Sequence, residues 1–182
     1  MKKYFINLVV AVFLIGCSST SPIHNPNFIE VTALKQFIGK YENLGDRGEN
    51  STLLYLSALL WSNNIDIEHS EIDTIEVLQK TTKILQINAL NHKKIVYSDL
   101  FVEGKHFYLS RGKVALGNES RVVGFKSGDP MIGLKIGSSY IGLNESNNIK
   151  FSSHMKVAGL VFLFFPIAMS DSQDVVFYRL EE

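Results

Sequence analysis

Glycine punctuates the second half of this chain and limits what it can become. Nine of the 13 glycines lie between Gly104 and Gly159. They fall among short apolar runs at residues 84–90, 95–101, 106–110, 121–125, 132–136, 140–143 and 175–180. Several runs alternate: Leu85, Ile87 and Ala89 face one way while Gln86 and Asn88 face the other, and Phe107 and Leu109 alternate with His106, Tyr108 and Ser110. A period of two broken by glycine turns predicts an antiparallel sheet. The repeat Ile-Gly-Leu at 132–134 and 141–143 predicts a tight hairpin with Gly137-Ser138-Ser139 at its turn. Residues 37–43 read as a first strand, closed by the turn-rich Gly45-Asp46-Arg47-Gly48.

One short helix precedes the strands. Asn50 or Ser51 can cap it, Leu53, Leu56 and Leu60 share a face with Leu59 adjoining, and Trp61 sits in the last turn before Ser62-Asn63-Asn64. A helix of about ten residues is marginal alone and must pack on something. Mainly β, with one short N-terminal helix and about eight strands, the pattern predicts an antiparallel meander closing into a small barrel rather than a sandwich, because closure removes edges.

Residues 157–169, Val-Ala-Gly-Leu-Val-Phe-Leu-Phe-Phe-Pro-Ile-Ala-Met, carry no charge and no side-chain hydrogen-bonding group. Two readings stand: a strand buried on both faces, or an apolar hairpin tip that touches lipid or a partner. Gly159 and Pro166 oppose a continuous helix, and the run is too short to span a bilayer as one. Phe162, Phe164 and Phe165, with Trp61, are the candidate contacts to an apolar ligand or partner.

The amino end is organised differently. Met1-Lys2-Lys3 leads into an apolar stretch from Tyr4 to Ile15, broken only by Asn7, then Gly16-Cys17 and the polar Ser18-Ser19-Thr20-Ser21-Pro22. A basic start, a short apolar core and a small residue before the cut describe a secretory signal. Leu14-Ile15-Gly16-Cys17 resembles the bacterial lipobox, and Cys17 is the only cysteine of the chain. The resemblance implies cleavage between Gly16 and Cys17, a diacylglycerol thioether on Cys17 and acylation of the new amino terminus. One buried chain holds a protein to a membrane only marginally, whereas two or more hold it stably. Ser18, rather than aspartate, after the cysteine resembles the enteric signal for the outer membrane, giving a periplasmic-face location in a Gram-negative cell; a Gram-positive membrane is the other possibility. Residues 1–16 thus read as a signal peptide, 17–33 as lipidated cysteine and flexible tether, and 34–182 as one β-rich domain.

Two wider resemblances follow. Gly39-Lys40-Tyr41 stands where lipocalin-like barrels carry Gly-x-Trp, with tyrosine replacing tryptophan, and Arg179 stands where their last-strand arginine packs over that ring. This implies a barrel-closing Tyr41–Arg179 contact. Residues 37–43, the leucine-rich 53–60 and Gly104-Lys105-His106-Phe107-Tyr108-Leu109-Ser110-Arg111 are similar to small bacterial envelope lipoproteins, a resemblance that implies no activity.

Losing residues 1–16 removes Lys2 and Lys3, so 18 basic and 18 acidic side chains become 16 and 18, a formal charge of −2. That balance makes no case for nucleic acid. The five histidines show no metal spacing, no Gly-x-Ser-x-Gly elbow exists, and Asp66, Glu68, Glu71, Asp73 and Glu76 read as a solvated edge rather than a calcium site. No catalytic constellation assembles, and no cofactor or metal is expected. The expectation is a non-enzymatic, membrane-anchored envelope lipoprotein that acts as an interaction or assembly module through an envelope protein partner. Its alternative is a lipocalin-like carrier of a small apolar ligand.

Overall fold

The computed structural model describes residues 17–20, 26–48, 53–61, 65–110, 112–123, 131–161 and 165–181. The chain is mainly β and forms two antiparallel sheets. In chain order the strands are β1 (Cys17–Thr20), β2 (Gly39–Glu42), β3 (Thr74–Thr81), β4 (Ile84–Asn91), β5 (Lys94–Val102), β6 (Tyr108–Ser110), β7 (Lys113–Val123), β8 (Met131–Leu143), β9 (Ile149–Val161), β10 (Phe165–Phe177) and β11 (Arg179–Leu180). The α-helix α1 spans Leu56–Trp61. One sheet has the order β1-β10-β9-β8-β7-β6, the other β11-β2-β3-β4-β5.

Two compact units divide the chain. The smaller takes residues up to Ser19, Asn118–Ser138 and Ser153–Ser172, and so contains the far ends of β7 to β10. The larger takes Thr20–Gly117, Ser139–Ser152 and Gln173–Glu182. Both units draw on residues of the 34–182 segment. Strands β7 to β10 run on past the residues that the main apolar cluster buries.

That cluster lies in the larger unit. Tyr41 pairs with Ile75 and Ile75 with Ala89, Val77 pairs with Ile87, and all point inward with Leu85. Ile141, Leu143, Ile149, Phe151, Val175 and Phe177 supply the apolar side chains of the six-stranded sheet. Period two turns the intervening residues to the opposite face, on which Asn88 is itself buried. Lys40, Glu76, Asn88 and Ser98 pair in register across four strands, and Asn88 donates to Glu76 Oε2 at 2.8 Å and accepts from Ser98 Oγ at 2.7 Å.

Among the described residues the strands close no barrel. Each sheet ends in edges, β1 and β6 in one, β11 and β5 in the other. After β10 the chain passes Tyr178 and joins the other sheet as β11, so the last strand links two sheets rather than sealing one. The β5 edge is blunted locally: the Leu100 N–H donates to Asp99 Oδ1 at 2.7 Å and the Val102 N–H to His106 Nδ1 at 3.0 Å.

Other expectations are corrected by particular contacts. The hairpin expected around Gly137 is one continuous strand, β8. Gly137 is not among the positive-φ glycines, and a hairpin turn of that kind needs such residues. The tether expected to run to residue 33 is packed from Phe28 onward. Phe28 bridges to Asn144, its ring lies where a Cβ on Gly142 would come within 2.6 Å, and Val31 is buried. Apolar side chains at Phe28, Ile29 and Val31 gain more by burial than a free tether would.

The helix is also shorter than expected, and Leu53 is exposed. Asn50 and Ser51 lie outside the described residues. The capping role belongs to Asn43, whose carbonyl accepts the Leu56 N–H and whose Oδ1 accepts the Ser57 N–H, both at 2.8 Å.

Candidate functional site

Trp61 is the natural place to look for a ligand contact. It is buried at the end of α1, with its ring edge-on to Tyr97 at 5.2 Å and Phe101 at 6.2 Å. Its Nε1 has no hydrogen-bond partner among the described residues. Nearby the core holds a cavity of about 60 Å³ whose walls include Leu56, Leu60, Ile87, Phe101 and Phe107, with His106 as its one polar lining residue. Trp61 does not line it. Leu60 does, and the next helical position points about 100° away, against Tyr97 and Phe101. Pockets for drug-sized ligands run to about 300–1,000 Å³, so this cavity does not accommodate one.

Tyr41 and Arg179 meet. Their backbones pair where β11 joins β2, and the Arg179 guanidinium carbon stands 5.5 Å from the Tyr41 ring centroid. The Arg179 N–H donates to Asn148 Oδ1 at 2.9 Å and its Nη2 donates to the Ile38 carbonyl. Gly39 makes room: with φ at +152°, its missing Cβ would lie 2.6 Å from Arg179 Nη2. The Tyr41 hydroxyl donates to the Phe37 carbonyl at 3.0 Å. Burial pushes its pKa above the ordinary tyrosine value, and the Arg179 charge offsets part of that rise. The contact joins the last strand to the first strand of a five-stranded sheet; it does not close a barrel.

Ser57 and His69 form a pair that sequence reasoning missed, since twelve positions separate them without any motif. Ser57 Oγ lies 3.0 Å from His69 Nδ1. Ser57 is fully buried, and Asn43 Nδ2 donates to the carbonyls of His69 and Ile72 at 2.8 and 2.9 Å. A nucleophile must reach a substrate, and this hydroxyl faces the protein interior. The cluster stitches α1 to residues 69–72. The acidic side chains between Asp66 and Glu76 disperse: Glu76 turns to Asn88 and Lys40, and Asp73 accepts the His92 N–H at 2.7 Å. Among the described residues no three His, Cys, Asp or Glu side chains gather as metal ligands.

The smaller unit presents a different surface. Leu134 and Ile136 on β8 are 45% and 53% exposed, Leu160 on β9 41% and Met169 on β10 54%. The apolar run 157–169 is therefore not a strand buried on both faces. It divides between the end of β9 and the start of β10, which are sheet neighbours, and on β9 Val157 is buried while Ala158 and Leu160 are exposed, as alternation requires. Phe162 and Phe164 lie outside the described residues, and Phe165 opens β10. Cys17 opens β1, the strand beside β10; Gly16 lies outside the described residues. No described helix is long and apolar enough to cross a membrane.

Comparison of the chain with models of protein families, with curated proteins and with solved structures finds no match in any of the three.

Proposed function

We propose that this chain is a non-enzymatic, lipid-anchored protein of the cell envelope, whose β-rich domain serves as an interaction or assembly module. One observation carries the reading: the sole thiol, Cys17, ends a lipobox-like Leu-Ile-Gly-Cys after a basic start and an apolar core. Cleavage before Cys17, with acyl chains on its sulfur and new amino group, holds the protein at the membrane. In a Gram-negative cell Ser18 directs it to the periplasmic face of the outer membrane. The exposed apolar strand ends support a role in contact rather than in chemistry.

The carrier reading draws on Gly39-Lys40-Tyr41 with Arg179, a lipocalin-like feature, and on the nearly all-apolar cavity lining. Its weakness is volume, since about 60 Å³ holds only a few heavy atoms.

Intact mass and membrane fractionation of the full-length protein beside Cys17→Ser test the proposal. The expected result is a mass equal to acylated Cys17 to Glu182 for the wild type, and loss of the variant from the membrane fraction. A wild type without lipid and free of the membrane overturns it.

A further inference from the structure

The structure leaves strand ends of the smaller unit apolar and exposed in the sheet that Cys17 joins through β1, and we infer that they rest on lipid as a second, shallow membrane contact. The inference rests on the lipid-anchor reading and asks what that anchor does to the residues beside it. Cys17 is the first residue of β1, and β1 is the sheet neighbour of β10. Among the described residues, Cys17 is itself part of that sheet. At about 3.3 Å per residue, even the far end of β1 lies within about 13 Å of the acylated sulfur. A sheet held that close meets the headgroups on every excursion. Its effective lipid concentration is set by the tether, so weak apolar contacts suffice to keep it there.

The residues fit that occupant. Leu134 and Ile136 are two apart on β8 and share a face; on β9 Lys156, Ala158 and Leu160 share one, and all three are exposed. Apolar tips with a lysine beside them suit the boundary between acyl chains and anionic headgroups, where interfacial elements sit at depths of about 5–10 Å. Within a sheet the backbone groups are hydrogen-bonded to neighbouring strands, which removes the main penalty for approaching hydrocarbon. A second copy of the chain would have to be recruited from elsewhere, whereas an acylated Cys17 already holds the chain at a membrane.

The test uses full-length lipidated protein in vesicles of phosphatidylethanolamine and phosphatidylglycerol. With the Cys17 sulfur in a thioether, Ile136→Cys, Leu160→Cys and, in the larger unit, Leu100→Cys each supply one free thiol for an environment-sensitive dye. The expected result at positions 136 and 160 is a blue-shifted emission that loses about half or more of its intensity when the lipid carries a nitroxide just below the headgroup, with little loss at 100. Lipid present by intact mass but dyes unquenched at 136 and 160, or quenched equally at 100, overturns the contact and leaves the anchor standing. Self-quenching of the dye with nitroxide lipid without effect assigns the face to a second copy and also overturns it. A chain that carries no lipid by mass overturns the anchor reading, and the contact with it.

Discussion

The two units bury apolar residues to different degrees, although exposed ones such as Ile95, Leu100 and Tyr108 also stand on the larger. In the larger, two sheets bury Tyr41, Ile75, Leu143, Val175 and Phe177 almost completely. In the smaller, the same β8, β9 and β10 run on, yet Val157 is the one buried apolar residue among its described side chains, and Leu134, Ile136, Leu160 and Met169 stand out from the strands. Strand continuity thus carries secondary structure further than packing does. Hydrogen-bond ladders propagate along a sheet, but stability comes where side chains leave water. A sheet that outruns its core displays apolar surface.

The sharpest way to break this comparison is to truncate one side chain in each unit. Phe177→Ala should lower unfolding free energy by about 3–5 kcal/mol in a denaturant titration. Leu134→Ala, in the absence of lipid, should change it by less than about 0.5 kcal/mol. Comparable losses would mean that the smaller unit holds a core after all. Asn43→Ala should follow at about 2–3 kcal/mol, because it strips the partner from the Ser57 N–H and from the carbonyls of His69 and Ile72. Far-ultraviolet dichroism that kept the stability of the wild type would refute Asn43 as the bracket between α1 and the sheet.

The smallest effect concerns pH. Burial holds the Tyr41 phenol above its ordinary pKa, and a hydrogen bond to Asp46, with lesser burial, does the same for the exposed Tyr178. A folded-state pKa above the unfolded one favours the protonated fold. That stability is complete below the ordinary tyrosine value of about 10 and is lost as pH rises through the folded value. Urea midpoints should therefore fall on the alkaline side, and less steeply in Tyr41→Phe. An identical slope in the variant would remove Tyr41 from the account.

Alternation made much of the larger unit legible. Leu85, Ile87 and Ala89 against Gln86 and Asn88 required a two-faced strand, and β4 is one. The antiparallel, mainly β class followed from the same signal. What stayed hidden depends on partners far away in the chain. Gly137 read as a turn, although nothing local distinguishes a turn glycine from one inside a long strand. The working turn between β4 and β5, His92-Lys93, has two non-glycine residues at positive φ, with the His92 N–H held by Asp73. Asn43 capping α1 and Phe28 seated on Gly142 are contacts between distant residues, invisible to any window of neighbours. Of the candidate site residues, the pairing of Tyr41 with Arg179 is what the lipocalin-like resemblance implies, and the two side chains do meet. The direction of the Trp61 ring is not implied in that way, since it follows from where β5 lies.

The junction of β2 with β11 orders how the five-stranded sheet can be completed. Arg179 reaches the Ile38 carbonyl across 141 positions, whereas the other neighbour of β2 is β3, the next of the strands in the chain. Bringing segments together over such a separation adds only a slowly growing entropy cost, but it cannot happen before Arg179 has been made. β2 can thus settle against β3 early, and its second edge is filled only once β11 exists.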